Sequence, residues 1–380
     1  MPTIPSKKKK LLPKFEESTK GNKGEWSEFY AIVKLLSDGS LNILDRDSIT
    51  DIENKLLYSV KKDNITFSFI DKNDDNIICT VFPSNESFTI SKNSIRLKEG
   101  VSKLLKCIKR RGCEDKDKSS SGPFDISLAE EMASNLHIST KKSPSLEKAD
   151  LTIRFQSNDT GSNPKPHDVS IKSWLGANPT LFNASLHSSR LIFKVISDQS
   201  FEALQKISNI DNRDARKAIT EGMEYGIKFV FQDYADSTFK SNLEQIDVQN
   251  FIPYIALAHF SRKLNKASTS MALRESLINS HPSFDHKWKS FLQICALGMT
   301  AKSPYNIENN ISDNFLVVDS QGQLCCYIGR NRLENILYDQ SFIDTPSAKR
   351  HQYGYFYQKD GEIYIDLNFQ VRLKPKKIKT

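Results

Sequence analysis

The chain has 380 residues, 38% of them hydrophobic, which is enough to bury a sizeable core and at this length predicts two or three folding units. Mean hydropathy is −0.49, and no run approaches the roughly eighteen apolar residues of a membrane span, so a transmembrane helix is excluded. Net charge is +8, from 54 basic against 46 acidic residues, an excess that suits phosphate-bearing partners.

The chain opens on a basic tail over 1–18, where Lys7, Lys8, Lys9 and Lys10 cluster in MPTIPSKKKKLLPKF. No apolar stretch follows them, so a secretory signal is not expected and the predicted location is cytoplasmic. Lys374, Lys376, Lys377 and Lys379 make a second basic tail over 374–380. Both suit a nucleic-acid backbone, since each neutralised phosphate releases condensed counterions. Plain solubilising tails share that composition.

In KGNKGEWSEFYAIVKLLSDG, Trp26, Phe29, Tyr30, Val33 and Leu36 recur at three- and four-residue spacing, which predicts a helix ended by Asp38 and Gly39. Its Glu25 and Glu28 stand three apart on neighbouring positions of one face. Residues 40–110 predict a small β-rich subdomain. LNILD, LLYSVKK, NITFSFID, NIICTVF and SFTIS read as strands of a small antiparallel sheet, followed by a helix over EGVSKLLKCIKRR. The charged, serine-rich run inside 111–122 reads as a linker.

FDISLAEEMASNLHI predicts an amphipathic helix with Asp125 as its cap. EKADLTIRF then predicts a strand opening at Asp150, and the polar QSNDTGSNPKPH leads into HDVSIKSWLG, its hairpin partner. NPTLFNASLHSSRLIFKVI returns to apolar strand. A helical region is expected over 201–313, in DARKAITEGMEYGIKFVF, VQNFIPYIALAHFSRKL and FDHKWKSFLQICALGM. Residues 314–373 predict β-hairpins. The six cysteines show neither CxxC spacing nor a zinc-ligand pattern with histidine, and are read as reduced packing thiols.

HDVSIKSWLG carries the functional question. Val169 and Ile171 point one way, and Asp168, Ser170 and Lys172 the other. Phosphodiester hydrolysis needs a nucleophilic water and compensation for charge growing on the phosphorus oxygens. Magnesium, which keeps several waters and asks for one or two carboxylates, supplies both when a lysine stands near the attacking water. Asp150 and Lys172 on paired strands, with Glu28 from a helix packed across the sheet, make such a set, Glu28 and Asp150 being the metal ligands. Each has a plainer reading, as a turn aspartate, a solvated lysine and a surface glutamate.

Taken together, NKGEWSEFYAIVKLLSDGSL, ADLTIRF, DVSIKSWLGANPTLFNAS and DTPSAKRHQYGYFYQKDGEIYIDLNFQVRL resemble, in order and spacing, the blocks of HpaII-type type II restriction endonucleases, from Asn22 to Leu373. Lys20, Gly21, Gly24 and Glu28 are similar to the KGxxGxxxE helix of the MutH-like nucleases, whose glutamate is a metal ligand, and this selects Glu28 over Glu25. The resemblance implies an α/β (α+β) fold. Its PD-(D/E)xK-like nuclease core, a mixed sheet flanked by helices, would occupy 19–39 and 123–200. It also implies magnesium-dependent cleavage of double-stranded DNA at a short palindrome such as CCGG, leaving 5′-phosphates. Asp150 stands where the metal-binding aspartate stands and Lys172 where the catalytic lysine stands. Ser170 departs from the acidic residue of the D/E-x-K pair, and Asp168 on the same strand face is held in reserve.

In EIYIDLNFQVRLK, Ile363, Ile365, Leu367, Phe369, Val371 and Leu373 alternate with Tyr364, Asp366, Asn368, Gln370 and Arg372, which predicts one long strand with a core face and a polar face. Arginine pairs with guanine, and asparagine or glutamine with adenine, in the major groove. That makes Asn368, Gln370 and Arg372 candidates for base readout; a polar face that meets water is the plainer reading. Arg350 and His351 in TPSAKRHQYG, and Asn183 and Ser185 in NPTLFNAS, are further DNA-binding candidates. A palindrome cut on both strands favours a homodimer, and a DNA methyltransferase that shields host sites is the expected genetic partner. Two other readings use the same residues. The KGxxGxxxE helix suggests a strand-nicking repair endonuclease, and Ser170 suggests a DNA-binding protein with an inactive nuclease fold.

Overall fold

The structure, a computed structural model, describes residues 20–44, 52–70, 74–112, 122–138, 150–156, 164–261, 264, 267–306, 314–328 and 330–374. The N-terminal basic tail, Lys376, Lys377 and Lys379, most of the expected linker and the tip of the expected hairpin lie outside these residues.

The N-terminal elements are α1 (Lys23–Asp38), β1 (Ser40–Leu44), β2 (Glu53–Lys62), β3 (Ile65–Phe69), β4 (Asn76–Val81), β5 (Glu86–Ser91), α2 (Leu97–Arg110) and α3 (Ser127–Leu136). Next come β6 (Leu151–Phe155), β7 (Pro166–Ser173), β8 (Thr180–Phe182), β9 (Leu191–Ile196), α4 (Phe201–Ile207), α5 (Ala215–Glu224), β10 (Lys228–Tyr234), α6 (Ser237–Glu244) and α7 (Ile252–Phe260). The chain continues with β11 (Ala267–Thr269), α8 (Ser270–Leu277), α9 (Phe284–Ala296), β12 (Asn314–Val318), β13 (Leu324–Ile328), α10 (Arg330–Gln340) and β14 (Ser341–Asp344). It closes with α11 (Ala348–His351), β15 (Phe356–Lys359), β16 (Glu362–Leu367) and β17 (Gln370–Leu373). The fold is mixed α and β. Among the described residues no helix is long and apolar enough to cross a membrane.

A nine-stranded sheet runs β1-β13-β12-β7-β6-β2-β3-β4-β5 and is mixed, with parallel pairs at β1–β13 and β12–β7. β1 also pairs with the first half of β2, so six strands follow one another in a closed ring and β3-β4-β5 continue from β2 as a meander. This corrects the expectation of a separate small sheet over 40–110: β2 carries β3 on one edge and β6 on the other. Periodicity shows which residues alternate, and leaves open which strand edge they join. The hairpin of β12 and β13 likewise belongs to this sheet rather than to the C-terminal one, since β12 lies beside β7.

Two smaller antiparallel sheets, β10-β9-β16-β15 and β11-β14-β17-β8, belong to the C-terminal half. They split two stretches that read as single strands. NPTLF…KVI divides into β8 in one sheet and β9 in the other, and EIYIDLNFQVRL breaks after Leu367 so that β16 and β17 also part. A third correction concerns EGMEYGIKFVF. α5 stops at Glu224, Gly226 adopts a left-handed φ of 75° that glycine tolerates without steric cost, and β10 follows with Phe229 and Phe231 half-buried between exposed neighbours. Asp125 is no cap either; Ile126 holds that position of α3, with no side-chain bond. Cys107 is disulfide-bonded, against the expectation of six reduced thiols; the lack of a CxxC or zinc-ligand pattern, on which that expectation stood, does not bear on whether a single cysteine is oxidised. Cys79, Cys295, Cys325 and Cys326 are buried thiols.

Two hydrophobic cores meet along β12. Leu316 and Val318 face the core of α1, α2 and α3, whereas Phe315 and Val317 face the core of the C-terminal helices. β7 follows the same alternation, with Val169 and Ile171 in the first core. Ser170 and Lys172 pair with Phe315 and Val317 and so face the second. A strand whose ends open between two packed bodies is where a substrate cleft can form.

Candidate active site

α1 begins as the residues dictate. The Asn22 side chain accepts from the Gly24 and Glu25 amides, and Glu25 Oε2 accepts from Asn22 N at 2.8 Å, closing a capping box. The Glu25 carboxylate is therefore spent on the helix end. Glu28, one turn later, is half-buried and faces a cleft. The glycines of KGNKG serve close packing: a Cβ on Gly21 would stand 2.9 Å from the Trp26 ring, and one on Gly24 would stand 3.1 Å from Asn22 Oδ1. Gly21 also exchanges two backbone bonds with Phe124, whose carbonyl accepts from Trp26 Nε1 at 2.9 Å. These contacts fix the start of α1, which packs on β7.

β6 and β7 pair antiparallel with Leu151 opposite Val169, so Asp150 lies across from Ser170. Asp150 N donates to Val169 O at 2.9 Å, and Asp150 Oδ2 accepts from Ile171 N at 2.6 Å. Among the described residues nothing donates to Oδ1. The aspartate is thus anchored to the amide just before Lys172, with one oxygen unspent. The Lys172 charge reaches Cys295, whose thiol is pushed well above its ordinary range by burial while the lysine pulls the other way. Ser170 is buried. Asp168 is exposed and its Oδ1 accepts from Thr152 Oγ1 at 2.7 Å.

The cleft holds about 830 Å³. The start of α1 lines it with Lys23, Glu25 and Glu28, the end of β7 with Lys172 and Ser173, the following loop with Asn178, the start of β8 with Thr180, the turn after β8 with Asn183, and loop 299–303 with Lys302. Arg111 completes a lining of four cations, Lys23, Arg111, Lys172 and Lys302, against two acids, Glu25 and Glu28. Glu28 and Lys172 therefore share one wall space. Asp150 stands behind Ile171, which lines the cleft, and neither Asp150 nor Asp168 lines it directly. Among the described residues no group of three or more His, Cys, Asp or Glu side chains is placed to hold a metal. Beside the capping Glu25, the cleft itself supplies one carboxylate, that of Glu28, with no thiolate or imidazole, a donor set that suits an oxygen-preferring ion that keeps most of its waters and does not fit a dehydrated structural ion.

The family model described as HpaII restriction endonuclease matches residues 22–373. The chain belongs to the HpaII restriction endonuclease family. Type II restriction enzyme HpaII of Haemophilus parainfluenzae is 31% identical over 368 residues, covering 93% of this chain and 98% of that protein. No solved structure matches. Membership of the HpaII family makes the chain a type II site-specific deoxyribonuclease, a DNA-binding hydrolase of a restriction system.

The remaining sequence candidates of this HpaII family member separate into two groups. Asn183 is exposed in the cleft. Ser185 lines it but is buried and locked to Asn368: Asn368 Nδ2 donates to Ser185 O at 2.8 Å, and Ser189 Oγ donates to Asn368 Oδ1 at 3.0 Å. Asn368 is fully buried, so its amide is turned inward to the NAS turn and away from any base edge. Gln370 Nε2 donates to Asp344 Oδ2 at 3.1 Å, and Arg372 Nε lies 3.2 Å from the same oxygen, in an ionic contact without hydrogen-bond alignment. Arg372 pairs across the sheet with Thr180, itself a cleft residue. Arg350 is exposed on α11, and His351 beside it is held below the ordinary imidazole range by burial and the Arg350 charge. Neither lines the cleft. Lys23, Arg111 and Lys302 escaped the sequence reading. Only Lys23 carried a signal, its place inside the KGNKG run.

Proposed function

We propose that this enzyme cleaves double-stranded DNA with magnesium at a short palindrome, for which CCGG is the candidate, leaving 5′-phosphate and 3′-hydroxyl ends. The observation that supports it most is the meeting of Glu28 and Lys172 in one basic cleft, with Asp150 anchored to the amide that precedes Lys172. The hairpin of β6 and β7 inside a mixed sheet, with α1 packed on it, supports a PD-(D/E)xK-like core. In this reading Glu28 and Asp150 hold the metal. When bound, magnesium supplies a hydrated Lewis acid for the phosphoryl oxygens. Lys172 holds its ammonium near the attacking water, orients it and offsets the negative charge that grows as the water attacks. The four cations of the cleft draw in the duplex against its own charge. A homodimer acting on the two half-sites and a protecting methyltransferase belong to the same proposal.

Run-off sequencing of plasmid incubated with the protein and magnesium tests it. Linear product with 5′-phosphates at one palindrome is expected. A stable nicked product would replace the proposal with the strand-nicking reading, and intact plasmid in both magnesium and manganese would replace it with the inactive one.

The capping box separates the two glutamates of α1. Glu25→Ala is expected to lower stability by about 0.5–1.5 kcal/mol, the net worth of its one hydrogen bond to Asn22 N, and to keep cleavage. Glu28→Gln is expected to keep the melting temperature and lose cleavage by about 10²-fold or more. Melting curves beside single-turnover rates check both. At the sheet edge, Arg372→Ala is expected to cost about 1–3 kcal/mol of discrimination at one base position if its guanidinium leaves Asp344 for a bidentate base contact. A cleavage panel of single-base variants of the site measures this; an unaltered panel assigns Arg372 to the Asp344 contact alone.

A further inference from the structure

Lys23 and Arg111 stand together at the mouth of the cleft, one at the start of α1 and one just past the end of α2. Each is steered by a main-chain carbonyl: Lys23 Nζ donates to Lys109 O at 3.1 Å, and an Arg111 guanidinium nitrogen donates to Gly122 O. The Arg111 guanidinium also lies over the Phe124 ring, 5.3 Å from its centroid, which holds its plane. Neither side chain meets a carboxylate among the described residues. The nearest acid on α1, Glu25, is spent on the Asn22 amide. Two like charges thus line one end of the cleft with no carboxylate on either among the described residues, and burial with the Arg111 charge holds the Lys23 ammonium below the ordinary lysine range. Two cations oriented toward one cleft in this way suit an anion that bridges them. The amides at the start of α1 are not that anion's site, because the Asn22 side chain already accepts from Gly24 and Glu25.

We propose that Lys23 and Arg111 grip one shared phosphate of the DNA strand, a neighbour of the phosphate that is cut. This rests on the cleft being the cleavage site. Lys23 precedes Glu28 by five residues, ~7.5 Å along α1 at the helical rise, so the phosphate they grip is displaced along the strand from the one at Glu28 and Lys172. Its grip carries no sequence information and acts on cognate and other DNA alike.

The test is the salt dependence of binding to a duplex of arbitrary sequence, for which the recognition site need not be known. Leaving one phosphate without its protein cation lowers the slope of log affinity against log salt by about 0.9. The double variant Lys23→Gln, Arg111→Gln is expected to lower the slope by that single step. A drop of about twice that size would mean two separate phosphates, and no drop would mean none; either overturns the proposal. Lys23→Arg with Arg111→Lys keeps both charges and is expected to keep the slope, which controls for folding. Lys98→Gln, an exposed change on α2 away from the cleft, is expected to leave it unaltered; an equal drop there would show a general charge effect and overturn the proposal. Single-turnover cleavage of plasmid by wild type keeps the two readings apart. A protein that cuts yet keeps its slope in the double variant refutes the grip, whereas one that shows the slope change and never cuts refutes the active site.

Discussion

Lys172→Ala and Asp150→Asn should each lose cleavage by about 10²–10⁴-fold while still shifting cognate DNA in calcium. The magnitude follows from the role: a positioned ionic or proton-transferring group contributes roughly this much. Calcium fills oxygen sites in place of magnesium, so binding can be read without turnover. The choice of Asn at position 150 matters because Asp150 Oδ2 accepts the Ile171 amide. An amide oxygen keeps that bond and removes only the charge. Asp150→Ala would instead leave a buried donor unmet, at about 1–3 kcal/mol, and would confuse a folding defect with a chemical one. Lys172→Arg is the matching control, retaining charge but replacing a compact ammonium with a planar fork. Wild-type rates in both Lys172→Ala and Asp150→Asn would remove the hairpin of β6 and β7 from the chemistry.

How much of this the sequence displayed depended on whether a feature was local. α1 was legible because its apolar spacing and the Asp38–Gly39 stop lie within one element, whereas the Asn22 cap emerged only with the structure. The pairing of Asp150 with the Ser170–Lys172 stretch was legible because a hairpin's register is set by its own two strands. The joining of β2 to β6 was not, since the pairing partner of an edge is chosen by the rest of the fold. Asn368 shows the limit most clearly. Alternation marked it as polar and outward, but β16 and β17 part on either side of it, and the amide is satisfied from within by Ser185 and Ser189. A buried polar group with internal partners has the same sequence signature as an exposed one waiting for a ligand. Cleft residues such as Lys302 carry no local mark at all; its loop is held by Asn242, which donates to the carbonyls of Thr300 and Ser303.

Below about pH 6.5 the protein should lose stability through His259, and His259→Gln should flatten that loss. His259 is fully buried on α7, with Nδ1 2.7 Å from Ser268 Oγ and Nε2 3.0 Å from Thr345 Oγ1. A neutral imidazole has one donor and one acceptor for these two hydroxyls. A second proton would place an uncompensated charge in the core near Arg216, and burial, with that arginine, pushes the pKa down to about 3. The unfolded chain protonates this histidine near pH 6.5 while the folded one does not, so the unfolded state binds more protons between those values. Stability is therefore complete above about 6.5 and falls with pH toward 3, by as much as ~1.4 kcal/mol per unit from this one group. Glutamine also offers a donor and an acceptor and does not titrate. Urea midpoints at pH 7, 6, 5 and 4 should diverge between wild type and variant by that slope; parallel curves would place the acid sensitivity elsewhere. His281 and His351, both held below the ordinary imidazole range first by burial, leave the variant a residual slope. The loss has a functional address, because Thr345 N donates to Asp344 Oδ1 and the other Asp344 oxygen holds Gln370 and Arg372. The folded imidazole gains its proton only near pH 3, so the strand end that fixes Arg372 beside Thr180 is released with unfolding, and discrimination between DNA sites should fail at the same acidity as the core and not before it.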